Sequence, residues 1–184
     1  KTLREKGTVN LKLNLDKFGS LIRQGLAEVN FYTDRIVADG VPVTGKIDHL
    51  VINEDEKTIE IYDYKTGAYH AEKWQTVPSL YIYMLQLEFY KMLLNNSPRF
   101  RNYKVTRGHI LFVIQDKFGE VHDKIYDFNT EDETEFMGLL KAVYRQITTL
   151  EFLDDSEVFV AASKSNTMKN LRGFIELLLA RNIR

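Results

Sequence analysis

The chain has 184 residues, of which 44% are hydrophobic and 28% charged, and its formal net charge is -1. This length and composition are typical of one globular domain with a hydrophobic core. Cysteine is absent, so the chain itself can form no disulfide, zinc finger or iron–sulfur cluster. No apolar run is long enough to span a bilayer, and the balanced charge means that any nucleic-acid contact needs locally placed basic residues.

Domain organisation is expected to be simple. The sequence has no internal repeat and no low-complexity linker, which favours a single domain over residues 1–184 with its core at about 27–150. Because the first residue is Lys1 rather than Met, we expect a piece of a longer protein. No secretory signal is present, and we expect a cytoplasmic location.

The N-terminal half is predicted to be rich in strands. Residues 1–26 are ambiguous, because Val9 to Leu15 alternates like a strand whereas 15–26 is compatible with a helix. A strand is predicted at 28–32, and Asp39-Gly40 indicates a hairpin turn. Two further strands, 46–52 and 59–65, flank a polar loop and predict a second hairpin.

The C-terminal half alternates between helices and strands. Pro78-Ser79 predicts the start of a helix that continues to about Asn95, and strands are predicted at 105–114 and 120–128. Thr130 with Glu133 fits a capping box, followed by apolar residues at helical spacing. A last helix is predicted from about Ser165 to Ala180. The expected fold class is therefore α/β, with a mixed sheet flanked by helices.

The second hairpin brings acidic side chains together. If its turn is centred between Asp55 and Glu56, the two residue numbers of every facing pair add up to the same total. The facing pairs are then Ile52–Ile59, Leu50–Ile61 and Asp48–Asp63. Opposed residues have Cβ atoms about 4.5–5.5 Å apart, so the two carboxylates must share a proton or hold a cation.

Lys65 projects from the same face as this acidic pair, because side chains alternate along a strand. Two carboxylates in an open site suit Mg²⁺ or Mn²⁺, and a lysine beside them can orient an attacking water. The alternative is a turn aspartate in a solvated ion pair with a lysine. The residues alone leave both interpretations open.

A resemblance to a known family favours the first interpretation. The segments Gly45-Lys46-Ile47-Asp48 and Asp63-Tyr64-Lys65-Thr66-Gly67 resemble the G-x-x-D and D-x-K-T-G motifs of RecB-like nucleases, which belong to the PD-(D/E)XK superfamily. Gln86 and Tyr90, one helical turn apart, resemble the Q-x-x-x-Y motif of that family.

The resemblance implies a restriction-endonuclease-like core and a site for Mg²⁺ or Mn²⁺. Asp48, Asp63 and the backbone carbonyl of Tyr64 would bind the metal, and Lys65 would assist the attacking water. Gln86 and Tyr90 would support the site or touch DNA. Relatives usually carry another metal ligand well upstream; Glu28 is the candidate substitute here, and the alternative is a plain sheet residue. Some relatives also carry an iron–sulfur cluster, which this cysteine-free chain cannot.

The implied biological role is DNA repair or recombination. Residues 109–113 with Asp116 and Gly119 are similar to the corresponding segment of nuclease domains fused to superfamily-1 helicases. This similarity implies single-stranded DNA as substrate, a helicase domain or subunit as partner, and exonuclease rather than endonuclease action. No membrane association is expected, because no apolar run has the length needed to span a bilayer. In a bacterium the protein would be associated with the nucleoid.

Two other classes of function stay open. The chain could be a catalytically inactive nuclease-fold module that binds DNA or scaffolds a helicase–nuclease complex, or an α/β interaction domain whose acidic pair is accidental. His70, His109 and His122 show no metal-binding spacing among themselves, and His49 is expected to be structural. Basic residues cluster in and around the last predicted helix and could contact a DNA backbone or be a solvated helix face: Lys164, Lys169, Arg172, Arg181 and Arg184.

Overall fold

The computed structural model describes residues 2–67, 69, 78–152 and 168–181. The chain divides into two units, each with its own internal packing. The first unit comprises Lys1–Ala38, Pro42–Ala71 and Tyr90–Phe128, and the second comprises Asp39–Val41, Glu72–Phe89 and Asn129–Arg184. The hairpin that carries the candidate site lies in the first unit.

A five-stranded mixed sheet forms the centre of the first unit. The strands of the chain are β1 (Leu26–Asn30), β2 (Ile36–Ala38), β3 (Val41–Val43), β4 (Lys46–Asn53), β5 (Thr58–Lys65), β6 (Lys104–Phe112) and β7 (His122–Asp127). The order in the sheet is β1-β4-β5-β6-β7, with β5 and β6 parallel and the other neighbours antiparallel. This architecture confirms the predicted mixed-sheet α/β fold.

The β4–β5 hairpin has the register predicted from its turn. Its pairs include His49 with Tyr62, Leu50 with Ile61 and Ile52 with Ile59. Asn53 stabilises the turn, because its side-chain oxygen accepts hydrogen bonds from the backbone N–H groups of Asp55 at 3.1 Å and Glu56 at 3.0 Å. Leu50 and Ile61 are fully buried, so a slip of one residue would expose them to water.

The other predicted turn is also confirmed. Asp39 and Gly40 have φ values of 47° and 84°, as the two central residues of a type I′ turn require, and they connect β2 to β3. The strand predicted at 28–32 begins and ends two residues earlier. Tyr32 instead starts a short 3₁₀ helix, where its backbone N–H donates to the side chain of Asn30 at 2.7 Å.

The ambiguous N-terminal segment is one helix, α1 (Leu3–Ile22), so the strand alternative for this segment is wrong. Thr2 and Glu5 form a reciprocal capping box that satisfies the first free N–H groups. Two side chains connect α1 to the rest of the first unit. Asn14 donates a hydrogen bond to the carbonyl oxygen of Val113 at 2.8 Å, and Lys17 donates one to the carbonyl oxygen of Val121 at 2.7 Å.

Three further helices follow, α2 (Pro78–Asn96), α3 (Thr130–Thr149) and α4 (Met168–Arg181). The cap of α3 differs from the prediction. Asn129 rather than Thr130 is the N-cap, and its side chain accepts from the backbone N–H of Asp132 at 2.9 Å. The apolar residues that were predicted at helical spacing in this helix are not all buried, since Val143 and Ile147 are exposed. Residues 165–167 of the last predicted helix lie outside the described residues.

None of the helices in the described part of the chain is both long enough and apolar enough to cross a bilayer.

Candidate functional site

The hairpin places Asp48, Asp63 and Lys65 on one face of the sheet. Leu50 and Ile61 are direct partners, and side chains two residues further along each strand point to the same side. Tyr90, on the part of α2 that belongs to the same unit, points its hydroxyl at this face and lies 3.4 Å from Asp63 Oδ1. The structure therefore brings together four of the residues selected from the sequence.

Asp63 is the buried centre of this group. Its residue is 1% exposed, and its Oδ2 lies 2.7 Å from Lys65 Nζ. Burial raises the pKa of Asp63; Lys65 opposes the rise, the nearby charge of Asp48 adds to it, and the net pKa is above its ordinary value. The environment thus disfavours a negative charge that one lysine does not fully balance, as expected where a further cation belongs.

Asp48 is half-buried and its orientation is held by the backbone. Its Oδ2 accepts a hydrogen bond from the N–H of Tyr64 at 3.0 Å. Burial first, and then the Asp48 charge, raises the pKa of the Tyr64 side chain. The same tyrosine, whose backbone carbonyl is an expected metal ligand, therefore also orients one of the two carboxylates.

The remaining expected residues lie as follows. Gln86 is half-buried on α2, one turn before Tyr90. Glu28 has a φ of 57° and forms an exposed ion pair with Lys46, so its carboxylate is engaged by a lysine rather than placed beside Asp63. Of the basic residues in the last helix, Lys164 and Arg184 lie outside the described residues, and Arg172 lies over the ring of Tyr81 at 5.5 Å.

The donor set fits a hard divalent cation with an incomplete protein shell. Within the described ranges, no three histidine, aspartate or glutamate residues are grouped closely enough to hold a metal. Mg²⁺ is commonly bound by one or two carboxylates and keeps several waters. A half-buried and a buried aspartate on one face, with a backbone carbonyl between them in the chain, match this pattern.

The opposite face of the same strands holds a polar network that sequence reasoning missed. His49, expected to be structural, contacts the hydroxyl of Tyr64 at 2.9 Å through Nδ1. Tyr62 stacks on His109 with ring centroids 4.2 Å apart, and His109 is held by Asp123 at 2.9 Å. Period-two alternation would have placed His49, Tyr62 and Tyr64 on one face, but it gives no hydrogen-bond partners.

Comparison with known protein families agrees with this geometry. The family model for the PD-(D/E)XK nuclease superfamily matches residues 5–164, which is most of the chain. The chain belongs to the PD-(D/E)XK nuclease superfamily. No curated protein matches it. The superfamily assignment confirms the broader part of the resemblance and the expected restriction-endonuclease-like fold. The narrower RecB-like assignment and the helicase fusion stay predictions.

Proposed function

We propose that the chain is a metal-dependent deoxyribonuclease whose centre is the β4–β5 hairpin. In this proposal Asp48, Asp63 and the Tyr64 backbone carbonyl hold Mg²⁺ or Mn²⁺. The observation that carries it is the buried Asp63, with a raised pKa, on the same face as Asp48 and Lys65 in a member of a nuclease superfamily.

Each residue of the proposed site has a distinct part in phosphodiester hydrolysis. A bound divalent ion would supply Lewis-acid polarisation of the phosphate and a water of lowered pKa. Lys65 would orient the attacking water and stabilise the negative charge that develops on the phosphate. The Tyr90 hydroxyl restrains Asp63 from the helix side at 3.4 Å. Gln86, one turn away, would support the site or contact the DNA backbone.

The finer assignments rest on the sequence resemblance. We propose single-stranded DNA as substrate, exonuclease rather than endonuclease action, and a role in repair or recombination with a helicase domain or subunit. Residues 109–113, similar to helicase-fused nuclease domains, support this part of the proposal. In the structure, residues 109–112 form the end of β6, beside the C-terminal end of β5 that carries Lys65.

The competing function is an inactive nuclease-fold module that binds DNA or scaffolds a complex. The observation that favours it is the position of Glu28, whose ion pair with Lys46 leaves two acidic side chains at the hairpin site in the described part of the chain. The two functions differ in whether the site binds a divalent cation.

Mn²⁺ titration followed by electron paramagnetic resonance separates the two. The nuclease proposal predicts a bound Mn²⁺ that is lost in Asp48→Asn and in Asp63→Asn. Asp55→Asn is the matched control, because this exposed aspartate lies in the turn of the same hairpin. Equal Mn²⁺ binding by wild type and both site variants, or no binding by wild type, would favour the inactive module.

A further inference from the structure

Tyr64 connects the two faces of the sheet at the candidate site. Its backbone N–H donates to Asp48 Oδ2 at 3.0 Å on the face of the acidic pair. Its side chain projects to the opposite face, where the hydroxyl lies 2.9 Å from Nδ1 of His49. The two rings lie nearly parallel, at 18°, with centroids 6.3 Å apart.

The direction of these hydrogen bonds follows from the partners of His49. Its Nε2 lies 2.5 Å from the backbone carbonyl oxygen of Gln24, which can only accept. In the tautomer that donates from Nε2 to this carbonyl, Nδ1 is an acceptor. The Tyr64 hydroxyl is then the donor of the hydrogen bond to Nδ1.

A glycine fixes the position of the Gln24 carbonyl. Gly25 has a φ of +89°, and a Cβ at this position would lie 1.9 Å from the carbonyl oxygen of Leu50. Only glycine allows the segment after α1 to approach β4 this closely. His49, which is 3% exposed, is thus held from the side of α1 as well as by Tyr64.

These contacts close a ring through the sheet. Asp48 is joined by a peptide bond to His49, His49 accepts from the Tyr64 side chain, and the Tyr64 backbone donates to the Asp48 carboxylate. A half-buried aspartate has several available rotamers, and in the structure the Tyr64 N–H holds one of them.

We propose that His49 and Tyr64 are positioning residues that fix the Asp48 carboxylate for cation binding, acting from the opposite face of the sheet. This inference rests on the proposed metal site at Asp48 and Asp63. Groups that orient a metal ligand without touching the metal commonly change metal affinity about 10–100-fold when they are removed.

The test compares Mn²⁺ affinity by electron paramagnetic resonance in wild type, Tyr64→Phe, His49→Gln and the double variant, with urea unfolding of each. Tyr64→Phe deletes the donor hydroxyl and keeps the backbone N–H. We expect about tenfold weaker Mn²⁺ binding in each single variant. The double variant should be no weaker than either single one, because both delete the same hydrogen bond.

Tyr62→Phe is the matched control. Its hydroxyl donates to Glu60 at 2.7 Å on the same face, so this variant also loses a tyrosine hydrogen bond, but not one that reaches Asp48. Its Mn²⁺ affinity should equal that of wild type. Unchanged affinity in Tyr64→Phe, or additive losses in the double variant, would overturn the positioning role and leave the metal site standing. Absence of Mn²⁺ binding by wild type would overturn both proposals.

Discussion

The replacement Asp63→Asn should make the metal-free protein more stable while it removes metal binding. Asp63 is 1% exposed, and burial and the Asp48 charge raise its pKa more than Lys65 lowers it. The folded state therefore binds the proton more tightly than the unfolded chain does. The stability that this group contributes is complete below its unfolded pKa of 3.8 and is lost as pH rises through the raised folded pKa.

Asparagine has nearly the same shape and carries no charge, so it avoids this loss at neutral pH. We expect Asp63→Asn to be roughly 0.5–2 kcal/mol more stable than wild type at neutral pH, which is the usual size of the gain from one stabilising substitution. The difference should shrink as the pH falls towards about 4. Urea denaturation in the presence of a chelator, repeated between about pH 4 and pH 8, measures it.

Asp34→Asn is the control with the opposite sign. Burial alone would raise the pKa of Asp34, but hydrogen bonds from Ser97 and Arg99 lower it below its ordinary value. Its contribution to stability is present above the unfolded pKa and is lost as pH falls through the folded one, so Asp34→Asn should destabilise at neutral pH. If Asp63→Asn also destabilises the protein at neutral pH, the ion pair with Lys65 stabilises the Asp63 charge by more than burial destabilises it. That result would refute the argument that the Asp63 charge needs a further cation.

Three further experiments, two of them with a matched control substitution, test other parts of the structure. Gly25→Ala should lower the free energy of unfolding by roughly 2–4 kcal/mol, because the new Cβ would meet a backbone φ of +89° and lie 1.9 Å from a carbonyl oxygen. Gly7→Ala, in the helix α1 with nothing within 4 Å of the new Cβ, should raise that free energy by about 0.5–1 kcal/mol. The urea concentration at the unfolding midpoint of each variant measures both effects. Asn129→Ala should cost about 1 kcal/mol by thermal unfolding and Thr130→Ala only a few tenths, and the reverse order would contradict the observed cap. Tyr90→Phe should slow DNA cleavage by about tenfold or less and change stability little, since it removes one long hydrogen bond to the buried Asp63 carboxylate. An unchanged cleavage rate would show that this hydroxyl does not contribute to the site.

The hairpin was predictable from the sequence because its signals are local. Alternating apolar residues fix which side of each strand is buried, and a polar loop of fixed length sets the register that pairs Leu50 with Ile61. The face shared by Asp48 and Asp63 follows from these two facts alone. The sequence therefore predicted the register of the hairpin, and with it the face of the strands on which Asp48 and Asp63 lie.

Other features do not follow from the alternation of apolar residues. The alternation of Leu11, Leu13 and Leu15 favours a strand, but the capping-box spacing of Thr2 and Glu5, which is also a local signal, marks the start of the helix α1. Glu28 was chosen by its place in the chain, but its positive φ and its lysine partner depend on the neighbouring strand. The hydrogen bond between Tyr64 and Asp48 likewise depends on the paired geometry of two strands.

Cleavage of labelled single- and double-stranded DNA in the presence of Mn²⁺ tests the central claim most directly. The full protein should cut DNA, Lys65→Ala should abolish cutting, and Lys57→Ala, which removes an exposed lysine from the turn of the same hairpin, should leave it intact. If Lys65→Ala cuts DNA as well as wild type does, the chemistry does not lie on this hairpin. If the full protein binds DNA but does not cut it in the presence of Mn²⁺, the nuclease proposal is contradicted and the inactive module takes its place.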